Sequence, residues 1–483
     1  MSDVLQERPA RSGGRTPTVV RLLVLATFVV ILNETIMINA IPRLMESLHV
    51  TEQSAQWVST AFMLTMAAVI PTTGWFLQRV TTRQAYALAM GAFIVGTIVS
   101  AVAPTFAVLL IGRIIQAGGT AVMLPLLITT LMTVVPEEDR GQVMGNVMLA
   151  ISVAPALGPT VSGLILQVGS WRLLFVVVLP IAALVTVFGL RKMINIGEPV
   201  ISSIDWFSVV LAALGFGGFV YGLSLFGEAK SGLGIGFVVA GLAITAVFVF
   251  RQLKLQRTDS PLLDLRTLKV GTFRIALGLT AVGFLAMLSA MVLLPLYLQN
   301  LRGLSPLQTG FLVMPGGLAM GLLGPTIGRL FDRFGARPLV IPGAIGMVVA
   351  LAGFTQISAT MPYWQILGLH VLLMLSLAAM FTPVFTLGMG DVPAHLYSHG
   401  SSILGALQQV AGAFGTALVI TILTTRVTSL TAEGVAIADA QLSGMRIAFI
   451  VATVIALFTI ILALRLPNRP TTSSEGEVSA PVH

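Results

Sequence analysis

The chain has 483 residues, of which 56% are hydrophobic and only 10% charged, with a formal net charge of +8 and a mean hydropathy of +0.96. A soluble protein normally carries about 25% charged residues, so this composition excludes a soluble globular fold and indicates a membrane protein. The sequence contains no cysteine, which excludes disulfides, thiol catalysis and thiolate metal sites.

Long apolar runs predict an all-α integral membrane protein, because only helices or closed barrels satisfy their own backbone groups in hydrocarbon. The polar, basic segment 1–19 is expected to be a disordered cytoplasmic arm before an uncleaved first span. The fourteen predicted transmembrane helices are 20–42, 54–77, 84–103, 106–133, 142–167, 172–190, 205–226, 233–250, 272–296, 306–328, 338–357, 363–389, 400–425 and 446–464.

Most of the 27 Lys and Arg residues fall in the loops on one side of these spans. Cytoplasmic loops carry the excess of Lys and Arg, so this bias predicts that both termini are cytoplasmic. It also accounts for the net charge without a nucleic-acid partner, since no soluble basic domain is present.

Two loops on the basic side resemble each other, and each joins the second and third helix of a six-helix set. Their sequences are GWFLQRVTTRQ and GRLFDRFGARP, and the pairs Gly74/Gly328, Arg79/Arg333 and Arg83/Arg337 share an offset of 254 residues. The pattern predicts two parallel six-helix repeats plus two inserted helices. The expected domains are the arm 1–19, a bundle 20–192, the inserted helices and basic linker 193–271, a second bundle 272–465 and a disordered cytoplasmic tail 466–483.

These loops, RIIQAGGTA in the fourth span, APALGPTVSG in the fifth and NET in the first carry a family resemblance. The chain resembles the major facilitator superfamily and, within it, the fourteen-span drug:proton antiporters similar to lincomycin-type resistance permeases. The resemblance covers nearly the whole length.

The resemblance implies that the two loops gate the cytoplasmic side. In the second loop, Asp332 and Arg333 stand at a helix end beside Gly335 and Arg337, where a carboxylate can pair with basic groups and hold two helices together. The first loop has Gln78 where the family pattern has aspartate, which argues against an ionic contact there and leaves a hydrogen-bonded contact from Gln78 as an open alternative. The alternative is that the basic residues serve orientation alone.

The stretch APALGPTVSG contains Pro155, Gly158, Pro159 and Gly163 within one span. Proline removes a backbone hydrogen bond and kinks a helix, while glycine permits close helix contact. The resemblance implies that this stretch marks antiporters, and helix packing alone is the alternative.

A carboxylate and a guanidinium are predicted at similar depth in the first and fourth spans. Glu34 lies nine residues before Arg43, about 13 Å by the helical rise, and Arg113 lies nine residues beyond Pro104. The resemblance implies that these helices are neighbours facing a central cavity. We therefore expect Glu34 and Arg113 to interact directly or through water, with nearby polar side chains from Asn33, Asn39 and Gln116.

The sequence favours an exchange mechanism in which a proton and a drug compete for Glu34, because charged residues inside a membrane usually mark functional sites. A static Glu–Arg pair that fixes two helices is the alternative. His370, in an apolar span, is a weaker candidate for proton coupling. Asp205 is expected to cap a helix, and His399 is expected in a loop.

We predict a secondary active transporter that exports amphipathic drugs or toxic compounds across the bacterial inner membrane in exchange for protons. The alternatives are export of one physiological solute, such as an amino acid, siderophore or lipid, and a membrane sensor or enzyme. The sequence has neither a phosphate-binding loop nor an H-E-x-x-H pair, so no enzyme, cofactor or metal site is expected. The expected partners are protons, a hydrophobic or cationic small molecule and the lipid bilayer; nothing indicates a periplasmic adaptor.

Overall fold

The computed structural model describes residues 16–37, 40–196, 203–228, 231–258 and 261–470, and its regular secondary structure over that range is helical. Fourteen helical segments are long and apolar enough to cross a membrane, which confirms the predicted number. The helices are α1 Thr18–Ile36, α2 Ile41–Leu48, α3 Glu52–Val69, α4 Thr73–Arg79, α5 Thr82–Ala101, α6 Phe106–Val134, α7 Arg140–Val168, α8 Arg172–Lys192, α9 Trp206–Ser224, α10 Ser231–Leu255, α11 Gly271–Leu296, α12 Pro306–Phe334, α13 Arg337–Phe354, α14 Tyr363–Gly390, α15 Tyr397–Ala432 and α16 Ile437–Arg465.

The first half of the bundle is α1–α8, the second half is α11–α16, and α9 and α10 form the inserted hairpin. The second span consists of α3 and α4, joined by a 3-10 turn at Ile70–Thr72. The exact domain boundaries remain a prediction. The terminal arm and tail fall largely outside the described residues, as does Asn39.

The first span is shorter than predicted. Helix α1 ends at Ile36, and Arg43 lies on the separate short helix α2, where it is exposed. Pro42 has no backbone N–H and cannot continue a helix from the preceding turn, which explains the break. The depth of Glu34 counted back from Arg43 was therefore wrong, and Glu34 lies in the last turn of α1.

Helices α7 and α12 pack backbone to backbone across the two halves. A Cβ added to Gly324 would lie 2.6 Å from the carbonyl oxygen of Gly145, and one added to Gly328 would overlap the carbonyl of Gly141. In lipid there is no hydrophobic driving force between helices, so their association depends on close packing, which small residues allow. We call this contact the α7–α12 seam.

The seam closes one end of the molecule only. Farther along the seam, Gly317 faces Ala156. The same antiparallel register would bring Gly310 opposite Gly163, yet a Cβ at either glycine would meet no atom within 4 Å. The halves are therefore in contact where α7 begins and α12 ends, which we call the closed end, and α7 and α12 diverge toward the opposite end.

Side chains also join the halves at the closed end. Thr129 on α6 and Ser401 on α15 are hydrogen-bonded through their hydroxyl oxygens at 2.9 Å. On α4, the Gln78 amide donates a hydrogen bond of 3.0 Å to the carbonyl of His395, which precedes α15.

The inserted hairpin is held together by an ion pair. The Arg251 guanidinium lies 2.6 Å from the Asp205 carboxylate, which also accepts a hydrogen bond from Ser208. The hydrogen bond from Arg251 holds the pKa of Asp205 below its usual range. Asp205 occupies the N-cap position of α9, as expected, although its carboxylate is bound mainly by Arg251 and Ser208 and only more weakly by the backbone N–H of Phe207.

The hairpin contacts both halves. Val220 and Leu223 of α9 pack with Ala67 of α3 and with Ala413 of α15, and the rings of Trp57 and Tyr221 lie 5.6 Å apart. The hairpin thus bridges the two halves along one side of the bundle.

The linker after α10 reaches the closed end. Gln252 accepts hydrogen bonds from the backbone N–H groups of Leu262 and Leu263, and the Asp264 N–H donates to Nδ1 of His399 at 3.2 Å. Burial alone would raise the pKa of Asp264, but hydrogen bonds from Arg266 outweigh it and lower the pKa, so the carboxylate stays ionised.

His399 was expected in a loop, but it is a buried residue in the first turn of α15. Its ring lies against Gly74 of α4, where a Cβ would come within 2.7 Å of Nδ1. The linker, α4 and α15 therefore meet at this imidazole.

The α7–α12 seam can be tested by adding a side chain to it. Gly324→Val places a branched side chain against the Gly145 carbonyl, so we expect the closed end to separate. The reporter is a disulfide between Thr129→Cys and Ser401→Cys in a chain that otherwise lacks cysteine. We expect Gly324→Val to lower the yield of this cross-link several-fold.

Gly310→Val on the same helix is the matched control, because nothing lies within 4 Å of a Cβ there. An equal cross-link yield in Gly324→Val and the parent would show that the seam does not hold the closed end.

Candidate functional site

Arg113 is the centre of a polar cluster in the first half. It lies on α6, is 1% exposed, and donates hydrogen bonds from one terminal nitrogen to Gln116 at 2.6 Å and to Asn33 at 3.2 Å. Its guanidinium carbon stands 4.1 Å from the centre of the Phe62 ring, a cation–π arrangement. The cluster therefore connects α1, α3 and α6.

Glycines let α5 approach α6 closely enough to extend this cluster. A Cβ at Gly96 would lie 2.5 Å from the backbone nitrogen of Gln116, so α5 lies directly against that turn. The Gln116 amide donates to the Thr97 hydroxyl at 2.8 Å, and both side chains are buried. Gln116 is thereby fixed between Arg113 and α5.

Glu34 is half-buried beside this cluster. Within the described chain, no ion pair brings its carboxylate within 4.0 Å of a basic group, and the direct contact to Arg113 comes from its neighbour Asn33 instead. Arg113 acts on Glu34 electrostatically at longer range. The sequence allowed either a direct or a water-mediated interaction between Glu34 and Arg113. The structure does not show the direct one.

Two hydrogen-bond donors in the cluster are unused. Nδ2 of Asn33 and Nε of Arg113 are buried and have no hydrogen-bond partner among the described residues. A buried donor without a partner costs about 1–3 kcal/mol. The cluster therefore has two free hydrogen-bond donors, both close to the acidic side chain of Glu34, that can bind an acceptor group of a ligand.

The proline-glycine stretch of α7 contacts α1 next to Glu34. A Cβ at Gly158 would overlap the side chain of Thr35, whose hydroxyl donates within its own helix to Leu32 at 3.0 Å. Pro155 is half-buried within the continuous helix α7, whereas a Cβ added at Gly163 would meet no atom within 4 Å. Pro159 lies in the same helix, but its side chain is outside the described part.

Within the part of the chain that the structure describes, Asp332 does not pair with a basic side chain, contrary to the sequence-based expectation. Its carboxylate accepts hydrogen bonds from the backbone N–H groups of Gly141, at 2.8 Å, and Gln142, at 2.7 Å. These are first-turn donors of α7, which have no partner within their own helix and favour a negative charge. Asp332 thus caps a helix of the other half.

The arginines of the two loops make contacts within their own half of the protein. Arg79 lies 4.7 Å from the Trp75 ring, Arg333 lies 5.0 Å from the Phe334 ring, and Arg337 donates to the carbonyl of Leu466 at 2.8 Å. The backbone N–H of Arg83 donates to Asn195 at 3.3 Å. Gly335 ends α12 with φ of 85°, a conformation that favours glycine.

Sequence analysis missed two members of the cluster, Phe62 and Thr97. Thr97 is a polar residue within an apolar span, a weak signal that an alignment of helix faces could have used. Phe62 carries no comparable signal, because aromatic residues occur throughout the spans.

A model of the Major Facilitator Superfamily matches residues 23–416. The MFS-type transporter YcnB of Bacillus subtilis is 38% identical over 457 residues, which cover 94% of this chain and 96% of that protein. The lincomycin resistance protein LmrB of Listeria monocytogenes is 38% identical over 408 residues, covering 84% and 86%. The solved structure of the human organic anion transporter MFSD10 matches with a TM-score of 0.66 at 16% identity, covering 93% and 100%, and shows the shared fold alone.

The family resemblance predicted from the loop and helix motifs is confirmed by these matches. The relatives are transporters, in agreement with the absence of enzyme motifs in the sequence. With its fourteen apolar helices, the chain is a multi-pass membrane transporter that belongs to the Major Facilitator Superfamily.

Proposed function

We propose that this transporter exports amphipathic, often cationic drugs or toxic compounds across the bacterial inner membrane in exchange for protons. The observation that carries the proposal is the buried cluster around Arg113, where two unused donors lie beside the Glu34 carboxylate. Its relatives support drugs as the cargo, since LmrB proteins of Listeria and Bacillus are named for lincomycin resistance.

The orientation that we propose puts both termini in the cytoplasm. The closed end contains Arg79, Arg140 and Arg333, and cytoplasmic loops are the basic ones. The closed end is then the cytoplasmic end, and the diverging ends of α7 and α12 face outward. In this state Glu34 would exchange protons with the outside.

The exchange follows from one carboxylate serving two ligands. A proton that binds Glu34 from outside removes the negative charge and weakens the hold on a cationic cargo. After the protein opens to the cytoplasm, loss of the proton restores the charge and a new cargo can bind. Arg113 keeps its positive charge throughout, because guanidinium does not lose its proton in proteins.

The gating loops would control which side is open. Opening the cytoplasmic end has to break the hydrogen bonds that the first N–H groups of α7 donate to Asp332 and the one that Gln78 donates to the carbonyl of His395. Helix α7 touches both the Asp332 carboxylate at its start and Thr35 near its middle. A movement of α7 would therefore change the contacts of Asp332 at the cytoplasmic end and those of Thr35 beside Glu34.

Glu34→Gln tests the proposed proton exchange. The amide keeps the size of the side chain but cannot exchange a proton, so we expect at least a tenfold loss of ethidium transport driven by a pH gradient in proteoliposomes. Glu46→Gln is the matched control, because Glu46 is an exposed carboxylate on α2.

Full pH-driven transport by a folded Glu34→Gln variant would refute the role of this carboxylate. Wild-type dye movement that ignores the pH gradient would refute antiport itself, and movement of amino acids alone would favour export of a single physiological solute.

Arg113→Lys tests the geometry of the cluster without removing its charge. A lysine cannot reproduce the planar guanidinium that bonds Gln116 and Asn33 and stacks on Phe62. We expect the apparent affinity for ethidium, measured by fluorescence, to fall at least fivefold. Arg21→Lys, at an exposed position on α1, should leave it unchanged; an equal loss in both variants would contradict the prediction.

A further inference from the structure

The second half contains a buried titratable side chain that the exchange mechanism does not use. His370 lies on α14, is 5% exposed, and its Nδ1 has no hydrogen-bond partner among the described residues. The other side of its ring faces α12, where it interacts with the main chain of Val313 and where a Cβ at Gly316 would come within 2.7 Å of Nε2.

His370 occupies the place in the second half that Arg113 occupies in the first. Arg113 lies seven residues after Phe106, the first residue of α6, and His370 lies seven residues after Tyr363, the first residue of α14. Both side chains are buried. The two repeats therefore each place one basic side chain at the same point of an equivalent helix.

The residues under these two side chains are also equivalent. Arg113 lies over Phe62, and His370 lies against Gly316. Positions 62 and 316 are separated by 254 residues, the offset that also relates Gly74 to Gly328. A glycine in place of the phenylalanine leaves room for the imidazole ring directly on the backbone of α12.

A line of contacts across the seam leads from Glu34 to His370. Thr35, the neighbour of Glu34, fills the space at Gly158 of α7. Two residues away, Ala156 meets Gly317 of α12, and the adjacent Gly316 meets His370. The two titratable side chains thus stand on opposite sides of the seam, at the level where α7 and α12 begin to diverge.

The helices packed against His370 bring no other charge to this level. Their charged or titratable side chains lie nearer the two ends: Arg274 on α11, Arg329, Asp332 and Arg333 on α12, Arg337 on α13, Arg140 on α7 and His399 on α15 toward the closed end, and Arg426 on α15 toward the opposite end. A proton can therefore bind Nδ1 without first breaking an ion pair.

We propose that His370 is a second proton-binding site, which is loaded and emptied with Glu34 in each transport cycle. The inference rests on the proposed proton exchange and specifies how many protons are exchanged for each cargo molecule. The step is a simple association, in which a proton joins Nδ1 of the neutral imidazole and gives an imidazolium. Two protons then enter for each cargo molecule that leaves.

The proposal predicts the electrical behaviour of transport. Exchange of two protons for one monovalent cation such as ethidium moves one net positive charge inward, so a membrane potential that is negative inside drives export. Exchange through Glu34 alone would be one for one and electrically silent.

The experiment uses the full chain in proteoliposomes with ethidium as the probe. Imposed potassium diffusion potentials and pH gradients are varied independently, and the proton:ethidium ratio is obtained from the conditions at which net dye movement stops. We expect a ratio of two for the wild type. A folded His370→Asn variant should keep transport driven by the pH gradient, lose the response to potential and show a ratio of one.

His49→Asn is the matched control, since His49 is exposed at the end of α2 in a left-handed conformation that asparagine tolerates. It should behave as the wild type. If His370→Asn does not fold, the wild type alone decides: a ratio of one, or transport without any response to potential, overturns the inference.

A second readout does not need transport. Saturating ethidium added to detergent-purified protein in weak buffer should displace more protons from the wild type than from His370→Asn, and equal release would overturn the proposal. Its failure is distinct from failure of the proposed function: a wild type that responds to a pH gradient but not to potential retains antiport through Glu34.

Discussion

The arrangement of this transporter depends on one close contact between backbones, the α7–α12 seam. Glycine on both helices lets the carbonyls of Gly141 and Gly145 lie against Gly328 and Gly324. The Asp332 carboxylate adds hydrogen bonds to the first N–H groups of α7. A charged acceptor is suited to this place because those donors have no partner in their own helix. This contact joins the halves at one end and leaves them free to diverge at the other.

The buried cluster in the first half shows how polar side chains are accommodated in an apolar bundle. A charge inside a membrane costs roughly 2.5–3.5 kcal/mol on insertion scales, and more in some simulations. Arg113 offsets this through Gln116, Asn33 and the Phe62 ring, and Thr97 in turn holds Gln116. The donors that remain unused beside Glu34 are the part of the cluster that packing does not explain. The repeat places His370 at the equivalent position without any such network.

Sequence alone predicted the number of spans, because twenty apolar residues in succession have few other structures available. With the family resemblance, which implies that the first and fourth spans are neighbours, it also predicted that Asn33, Arg113 and Gln116 come together. It could not predict which neighbour bonds Arg113, since the rotation of α1 decides between Asn33 and Glu34. Sequence analysis also missed the partners of Asp332. Those partners are backbone N–H groups, which every residue except proline has, so residue type does not reveal them. The early end of α1 could have been predicted from Pro42, had its missing N–H been weighed against the apolar pattern.

The inserted hairpin has a mechanical consequence. Through Gln252 and Asp264 it holds the linker on His399, at the point where α4 meets α15. Its apolar face simultaneously rests on α3 and α15. In the proposed exchange cycle, a rigid-body swing of one half would break one of these attachments, and the hairpin would then move with one bundle and slide over the other. Under that proposal, the inserted hairpin would add contacts that favour one of the two states, which a protein made of the two bundles alone would lack.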